Sequence, residues 1–315
     1  MIAKGTFDIR YVKLHFTIEF VEEASLPVFK ASALRGGMGE MLLRSNCVRN
    51  RDCDNCDFES ECIVRRTMYS KMEIQPSFMT SGDSVGYVIE CEDYRDQVQA
   101  GDTLCFNLIL FGKTIVYFSQ FLNAFYALGM NGLGKEMARF RILSVTNTRK
   151  KPIMDGRDVL MQNYEIGRVT DYVSFRREQI KGRTGEVRIR FPSPLSVKFR
   201  GNELKELIPR AIVESACRRI YMLDCLEGIE TNVHDMEFLE SIQIPDSVSE
   251  VHRNVSVRRY SNHQGSAMYL KGIEGEILFE SLEGNLLDIL LAGELVHIGK
   301  NTSFGFGRYR IGTVE

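Results

Sequence analysis

The first clear pattern in the chain is a strict alternation of apolar and polar residues near the N-terminus. Apolar side chains occupy every second position from Val12 to Phe20, and polar side chains occupy the positions between them. Because successive side chains of a strand point to opposite faces, this alternation predicts a half-buried β-strand. Pro27 then precedes apolar residues at helical spacing between Leu34 and Leu42, which predicts a helix that begins soon after the proline.

The rest of the first half continues this alternation of strands and helices. Buried strands are predicted near 87–91, 103–111 and 138–145, and an apolar helix is predicted over 115–128. The order is therefore strand, helix, strand, strand, helix, strand. That order is typical of a ferredoxin-like (RRM-like, βαββαβ) domain.

A polar segment rich in Lys and Arg, around 147–158, separates the second half from the first. There, Pro209 either starts or kinks a predicted helix. The predicted strands are near 159–170, 186–200, 253–260, 272–280 and 304–312, and the predicted helices are near 204–220 and 285–292. The sequence thus predicts an α+β fold of two tandem ferredoxin-like domains, at 1–150 and 151–315, with a cysteine-rich insertion at 46–66 in the first.

Charge is unevenly distributed although the net charge of the chain is only −2. Residues 166–220 contain 13 Lys and Arg against 6 Asp and Glu, whereas residues 221–250 contain 8 acidic residues and no Lys or Arg. In one predicted ribbon, Arg188 and Arg190 alternate with apolar residues, so one face is basic. A polyanion would be attracted to this region and repelled from the acidic one. A basic face that is simply solvated is the alternative.

The C-terminal segment 293–311, GELVHIGKNTSFGFGRYRI, is the most specific motif. Glycines at 299, 305 and 307 surround Lys300 and Ser303, and Arg308 follows them. Glycine lets backbone N–H groups approach a phosphate closely, and the basic side chains supply charge. The spacing is not that of a Walker loop, and the predicted strand that follows excludes a dinucleotide fingerprint.

This segment resembles the glycine-rich loop of the RAMP superfamily, and most of all that of the CRISPR-associated endoribonucleases that process precursor crRNA (the Cas six family). Two further stretches support the resemblance: RRYSNHQGSAMYLKGIEGEI at 258–277 and ALRGGMGEML at 33–42. The resemblance implies an RNA-binding cleft formed by two ferredoxin-like domains. It also implies metal-independent cleavage of CRISPR repeat RNA within pre-crRNA, which leaves a 2′,3′-cyclic phosphate.

The expected partners are repeat RNA and other CRISPR-associated proteins, and the resemblance leaves both monomer and homodimer open. No membrane segment is expected, and the chain is expected to be cytoplasmic in a prokaryote. The residues expected to bind RNA are glycines and polar or basic residues of the family-like segments and the basic ribbon: Arg188, Arg190, Arg258, Arg259, Tyr260, Gly299, Lys300, Ser303, Gly305, Gly307 and Arg308.

Metal-free RNA cleavage needs a base, an acid and cations that hold the phosphate, and histidine is the natural acid or base near neutral pH. His297, at the start of the glycine-rich segment, is the first candidate, followed by His263 and His15. Several members of the family carry a catalytic histidine in or just after the first helix, whereas 27–45 contains none here. Either the histidine has moved, or another residue such as Tyr69 or Lys71 contributes, or the protein is a non-catalytic RAMP subunit that holds guide RNA without cutting it.

Four cysteines follow the first predicted helix: Cys47, Cys53, Cys56 and Cys62. A central Cys-x-x-Cys pair with two outlying thiols suits a tetrahedral four-sulfur site. We expect a structural zinc ion here, with an iron–sulfur cluster or metal-free cysteines as the alternatives. Because four protein ligands leave no open position, no catalytic metal is expected. A metal-stapled RNA-binding module unrelated to CRISPR is a further alternative.

Overall fold

The computed structural model describes residues 8–53, 55–69, 86–156, 158–181, 186–228, 242–261 and 266–314. The first unit, which we define as residues 8–168, contains nine strands and three helices within its described ranges. These are β1 (Arg10–Phe20), β2 (Ala24–Ser25), α1 (Lys30–Asn46), α2 (Ile63–Met68), β3 (Tyr87–Glu90), β4 (Gln97–Val98), β5 (Thr103–Phe111), α3 (Phe118–Asn131), β6 (Phe140–Thr146), β7 (Met154–Asp155), β8 (Asp158–Val159) and β9 (Gly167–Arg168).

The second unit, residues 169–314, begins with a helix. Its described elements are α4 (Val169–Ile180), β10 (Glu186–Leu195), β11 (Lys198–Phe199), β12 (Asn202–Glu203), α5 (Pro209–Glu227), β13 (Ser249–Ser261), β14 (Ser266–Phe279), α6 (Gly284–Val296) and β15 (Arg310–Val314). Pro209 is the first residue of α5, where its missing N–H costs nothing, so it starts this helix rather than kinking it.

Each unit is built on an antiparallel sheet with the same arrangement of its main strands. The order is β3-β5-β1-β6 in the first sheet and β13-β14-β10-β15 in the second. In both sheets, the first and third of these main strands in chain order lie side by side in the middle: β1 and β5 in the first sheet, and β10 and β14 in the second. The molecule is therefore a mixed α/β fold with antiparallel sheets, as the alternation of apolar residues predicted.

The strand β1 shows how the sequence pattern becomes a core. Its alternate apolar residues, Val12 to Phe20, are 0–1% exposed and pack against α1 and α3. The Phe16 ring stacks on Phe106 of β5, with the ring centroids 4.9 Å apart. Burial of one face of this strand against two helices fixes its register, because a shift by one residue would expose the whole apolar set.

The connection between the units differs from the prediction in two ways. Residues 169–180, partly assigned to a strand, form α4, in which only Val169 and Val173 are buried; so few apolar residues give no visible helical period. In addition, β9 pairs with β1, and the Tyr164 hydroxyl donates a hydrogen bond to the Ile115 carbonyl. Residues 152–168 thus belong with the first sheet, and we place the division near 168 rather than at 150.

The outer face of the first sheet packs against the second unit. Ile9, Val88, Ile109 and Phe111 are fully buried in one apolar cluster with residues of α4, α5 and α6. The helices of the second unit therefore lie between the two sheets. This packing places the end of β3 directly against the segment that follows α6, where the candidate site forms. In the described part of the chain, no helix is long and apolar enough to cross a membrane.

Candidate nucleic-acid interface

The glycine-rich loop, residues 297–309, is wedged between the two units. At Gly305, φ is 84°, and a Cβ atom would lie 2.8 Å from the Ile89 carbonyl oxygen and 2.9 Å from the Ala31 side chain. At Gly307, φ is 69°, and a Cβ would overlap the Ile298 carbonyl. The glycines are thus required by the left-handed backbone and by close packing against β3 and α1.

The backbone amides of this loop are already hydrogen-bonded within the protein. The N–H of Lys300 donates to the Ser196 carbonyl at 2.7 Å, and that of Gly307 donates to the Pro194 carbonyl at 2.8 Å. Ser303 is only 3% exposed. The expectation that the glycines and Ser303 present polar groups to a phosphate is therefore not supported: the loop is a packing element, and a Cβ at Gly299 would likewise meet the Ser196 carbonyl. The Lys300 side chain is exposed.

A buried carboxylate, that of Glu90 at the end of β3, joins the loop to the first sheet. Glu90 accepts from Lys13 Nζ at 2.7 Å and from Asn107 Nδ2 at 2.8 Å, while its other oxygen lies 3.0 Å from His297 Nε2. Arg308 Nε lies 3.7 Å from the same oxygen. Burial opposes ionisation of Glu90, but Lys13, His297 and Arg308 outweigh it and hold its pKa well below the usual range.

His297 is a structural part of this network. The residue is fully buried, and its Nδ1 lies 3.1 Å from the Phe306 carbonyl oxygen. Its backbone has φ 58° and ψ 161°, a region that non-glycine residues avoid, and the surrounding contacts hold it there. Burial lowers its pKa, although the hydrogen bond to Glu90 acts in the opposite direction. An imidazole without access to solvent cannot exchange protons with RNA, so the geometry argues against a catalytic His297.

Basic side chains gather around one half-buried aromatic ring of the loop, that of Phe304. The guanidinium carbons of Arg35, from α1, and Arg259, from β13, lie 4.5 Å and 4.6 Å from the centroid of Phe304. Burial and the neighbouring Arg35 both lower the pKa of Arg259. The Nε of Arg259 is buried and has no hydrogen-bond partner among the described residues. We call Arg35, Phe304 and Arg259 the arginine cluster.

The remaining basic residues differ in whether a carboxylate already pairs with their charge. Arg190 and Arg310 are paired across β10 and β15 and are both exposed, and Arg310 Nη1 donates a hydrogen bond to the Tyr172 hydroxyl of α4 at 2.9 Å. Arg258 is also exposed, whereas Arg188 lies 3.8 Å from Glu276. Arg308 forms ion pairs with Glu90 and Glu92. A residue whose charge is already neutralised by two carboxylates is a poor phosphate ligand, which argues against the prediction for Arg308.

The other candidates are placed as follows. His15 is half-buried on the outer face of β1, with Nδ1 2.5 Å from the side-chain oxygen of Asn107. His263 lies outside the described residues, as does the Tyr260 side chain. Arg35, Phe304 and Arg310 are not among the residues that the sequence predicted to bind RNA. Both Arg35 and Phe304 lie inside segments that carry the family resemblance, but nothing in their local spacing shows that they meet.

The four cysteines lie in the connection between α1 and α2. Cys47 is the residue that follows α1, and Cys62 immediately precedes α2. All four are free thiols of intermediate exposure. Among the described residues, no three His, Cys, Asp or Glu side chains are placed as a metal-ligand group. The expectation of zinc is therefore neither supported nor tested by these side-chain positions.

Two protein-family models match successive parts of the chain. The AF_1859 N-terminal domain matches residues 9–166, and the CRISPR-associated endoribonuclease Cas6 matches residues 189–309. An uncharacterised protein of Archaeoglobus fulgidus is 23% identical over 313 residues, which cover 97% of this chain and 99% of that protein.

Solved structures share the fold at low identity. A partial Cas6-RT-Cas1–Cas2 complex matches with a TM-score of 0.59 and 12% identity, over 97% of this chain but only 46% of that chain, so this chain spans less than half of it. A Cas6 product complex matches at 0.53 and 14%, over 95% of this chain and 98% of that one. Thermus thermophilus Cas6 matches at 0.51 and 12%, over 96% and 98%.

The fold and the family matches support a CRISPR-associated processing protein of the Cas6 and RAMP type. Over residues 9–166 the chain belongs to the AF_1859 N-terminal domain family, and its residues 189–309 match the Cas6 endoribonuclease family. The family expected from the C-terminal and hairpin segments of the sequence is therefore confirmed, although the glycines that carried the resemblance have a different physical role from the one expected.

Replacement of Gly305 by Ala tests the packing role of the loop. The new methyl group would press on Ile89 and Ala31, and the left-handed backbone adds strain. We expect the free energy of unfolding to fall by about 1–3 kcal/mol, measured by urea denaturation. Gly312→Ala is the matched control, because a Cβ there meets no atom within 4 Å. Equal stability of the two variants would contradict the packing role.

Acidification tests the Glu90–His297 contact. In the unfolded chain, a histidine is protonated near pH 6.5. Burial lowers the pKa of His297 in the folded protein, so the folded state binds this proton more weakly than the unfolded state does. We therefore expect stability to fall as the pH decreases from about 7 to 5, and to fall again below about pH 4, where the unfolded chain protonates Glu90 but the folded chain keeps it ionised. His297→Asn should flatten the upper part of the profile. An unchanged slope in this variant would contradict the assignment.

Proposed function

We propose that this protein binds CRISPR repeat RNA at the arginine cluster and cleaves it within precursor crRNA without a metal ion, leaving a 2′,3′-cyclic phosphate and a 5′-hydroxyl. The observation that carries the proposal is the pair of guanidinium groups over Phe304, at the place where α1, the glycine-rich loop and the β13–β14 hairpin meet. The match of residues 189–309 to the Cas6 endoribonuclease family supports the reaction class.

The electrostatics of the cluster favour an anionic ligand. Two like charges lie close together, and one of them, Arg259, is partly desolvated; burial and Arg35, the causes that shift its pKa, both oppose its charge. A phosphate bound beside the two guanidinium groups would offset this repulsion. RNA supplies such a phosphate and also bases that can stack near an aromatic ring.

A second surface could follow the RNA backbone. Arg190 on β10 presents an exposed positive charge, and Arg310, its partner on β15, adds a second one while its Nη1 donates to the Tyr172 hydroxyl. Arg258 and Lys300 are exposed as well. We propose that these four side chains make non-specific phosphate contacts, which set affinity and its salt dependence rather than sequence preference.

Each unit is, we further propose, a ferredoxin-like domain, since its main elements follow the order strand, helix, strand, strand, helix, strand and its sheet places the first and third strands centrally. The similarity to part of a chain in a Cas6-RT-Cas1–Cas2 complex suggests other CRISPR-associated proteins as partners. RNA would then be held at the junction of the two domains.

The acid and base of the reaction remain predictions. Of the histidines with described contacts, His15 bonds to Asn107, His252 to Glu250, and His297 to Glu90. His15 is the one of these that lies partly exposed on a polar sheet face next to Lys13. His263, close in sequence to Arg259, stays a candidate by position alone. This distribution also favours a second function, a Cas6-type subunit that binds repeat RNA without cutting it.

RNA binding by the arginine cluster can be tested with Arg35→Ala and Arg259→Ala. Loss of one charged phosphate contact should weaken repeat-RNA binding roughly 10- to 100-fold. The salt slope should fall by about one unit. Arg253→Ala is the matched control on the same strand, because Arg253 is exposed and paired with Glu274. Affinity equal to that of the parent in both cluster variants would exclude this site.

Cleavage is tested by incubating the parent protein with repeat RNA in EDTA and identifying the product ends. We expect a 5′-hydroxyl product and a 2′,3′-cyclic phosphate. His15→Ala and His263→Ala are assayed beside the parent, and the variant that binds RNA but does not cut it identifies the acid or base. Tight binding with intact RNA, in EDTA and in magnesium alike, would replace the proposed activity by the non-catalytic function.

A further inference from the structure

A row of polar side chains crosses the outer face of the first sheet. His15 of β1 is paired with Asn107 of β5, which in turn is paired with Glu90 of β3. On its other side, His15 is paired with Thr146 of β6. We call these four residues the polar row. Side chains directly opposite each other on antiparallel strands are close enough to bond, and the buried apolar residues of β1 fix the register that aligns them.

The Glu90 carboxylate fixes the orientation of the Asn107 amide. An ionised carboxylate can only accept hydrogen bonds, and the pKa of Glu90 lies well below its ordinary value. Asn107 must therefore turn its Nδ2 group toward Glu90, and this hydrogen bond is 2.8 Å long. The opposite orientation of the amide would set its oxygen against a carboxylate oxygen, two acceptors with no proton between them.

This orientation in turn sets the position of the proton on His15. The Oδ1 atom of Asn107 faces His15 and lies 2.5 Å from its Nδ1. Because an amide oxygen can only accept, the proton lies on Nδ1, and Nε2 carries the free lone pair. In the described part of the chain, Nε2 has no hydrogen-bond partner, and it is not among the buried atoms that lack one. Nε2 is therefore accessible to a ligand.

The polar row lies at the edge of the junction, where the sheet face becomes accessible. Two residues along β5 in one direction, Ile109 is buried against the second unit, and two residues in the other direction Cys105 is exposed. Beyond Thr146, the turn after β6 carries Lys150 and Lys151, which are exposed and have no ion pair among the described residues. A nucleotide chain at this edge would meet His15, with positive charge on the neighbouring strand connection.

We propose that His15 is the base of RNA cleavage and that Asn107 is its positioning residue, which holds the ring with Nδ1 protonated and Nε2 free. The inference rests on the proposed function. Nε2 takes the proton of a ribose 2′-hydroxyl, the 2′-oxygen forms a bond to phosphorus, and the bond from phosphorus to the 5′-oxygen breaks. The 5′-oxygen leaves with a proton from water, and the 2′,3′-cyclic phosphate remains.

The same hydrogen bonds connect the base to the glycine-rich loop. Glu90 orients Asn107, and the partners of Glu90 from the second unit are His297 and Arg308. The docked loop thus holds the carboxylate that orients the amide, and the amide orients the imidazole of His15. A loop whose amides bond within the protein therefore contributes to the reaction without touching RNA.

The tautomer of His15 is measured on the full-length protein labelled with ¹⁵N-histidine, by long-range ¹H–¹⁵N correlation of the imidazole rings at about pH 8, where an ordinary histidine is neutral. The chain has five histidines, and His15→Gln identifies the signals of His15. We expect the Nδ1–H form in the parent, whereas a histidine side chain in water favours Nε2–H. Asn107→Leu should shift His15 to Nε2–H. Thr17→Val, on the same face of β1, is the matched control and should leave the tautomer unchanged.

Single-turnover cleavage of repeat RNA is measured on the same variants. Asn107→Leu should lower the rate roughly 10- to 100-fold, because a misplaced base loses reactivity, while the Kd for RNA stays within about twofold. Thr17→Val should cut at the parental rate. The Nε2–H form of His15 in the parent, or parental cleavage by Asn107→Leu or His15→Gln, would overturn the proposal.

Two outcomes separate this inference from the proposed function. A parent that shows the Nδ1–H form of His15 but leaves RNA uncut would overturn the proposed cleavage and the base role with it, whereas the positioning by Asn107 would stand. A parent that cuts RNA with His15 in the Nε2–H form would overturn the positioning and leave the proposed cleavage intact. Both are read on the parent, so a misfolded Asn107→Leu protein does not protect the proposal.

Discussion

The junction of the two units depends on one buried charge. Glu90 ends a strand of the first sheet, and its carboxylate is surrounded by Lys13 of the same sheet and by His297 and Arg308 of the second unit. Removal of one partner from such a buried group leaves an uncompensated charge, at a cost of about 3–5 kcal/mol. The buried Glu90 carboxylate is therefore stable only when the glycine-rich loop is docked and brings His297 and Arg308 to it.

This constraint changes the meaning of the C-terminal glycines. Their absent side chains allow the loop to enter the space between β3 and α1, and its amides bond to the second unit rather than to a ligand. The docked loop also brings the half-buried ring of Phe304 within 4.5 Å and 4.6 Å of the guanidinium carbons of Arg35, from α1, and Arg259, from β13. The binding surface is thus a product of the junction and not of the loop alone.

Long elements with a regular apolar period could be predicted from the sequence. The alternation in β1 and the basic ribbon of β10 correspond to strands, and the helical spacing from Leu34 to Leu42 lies within α1. The failures have a common cause. The helix α4 carries too few buried residues to show a period, and His297 and Ser303 look accessible in sequence because their burial depends on the opposite unit. The pairing of Arg35 with Arg259, more than two hundred residues apart, has no local signal at all.

The apolar cluster at the junction also bears on how the chain can unfold. Ile9, Val88, Ile109 and Phe111 belong to the first sheet but are buried among the helices of the second unit. If the chain were cut between the two units, the first unit would expose these side chains to water. Its Glu90 carboxylate would also lose the partners that the second unit supplies. We therefore expect the two units to unfold in a single cooperative transition. Neither unit is expected to fold when it is transferred to another protein without the other.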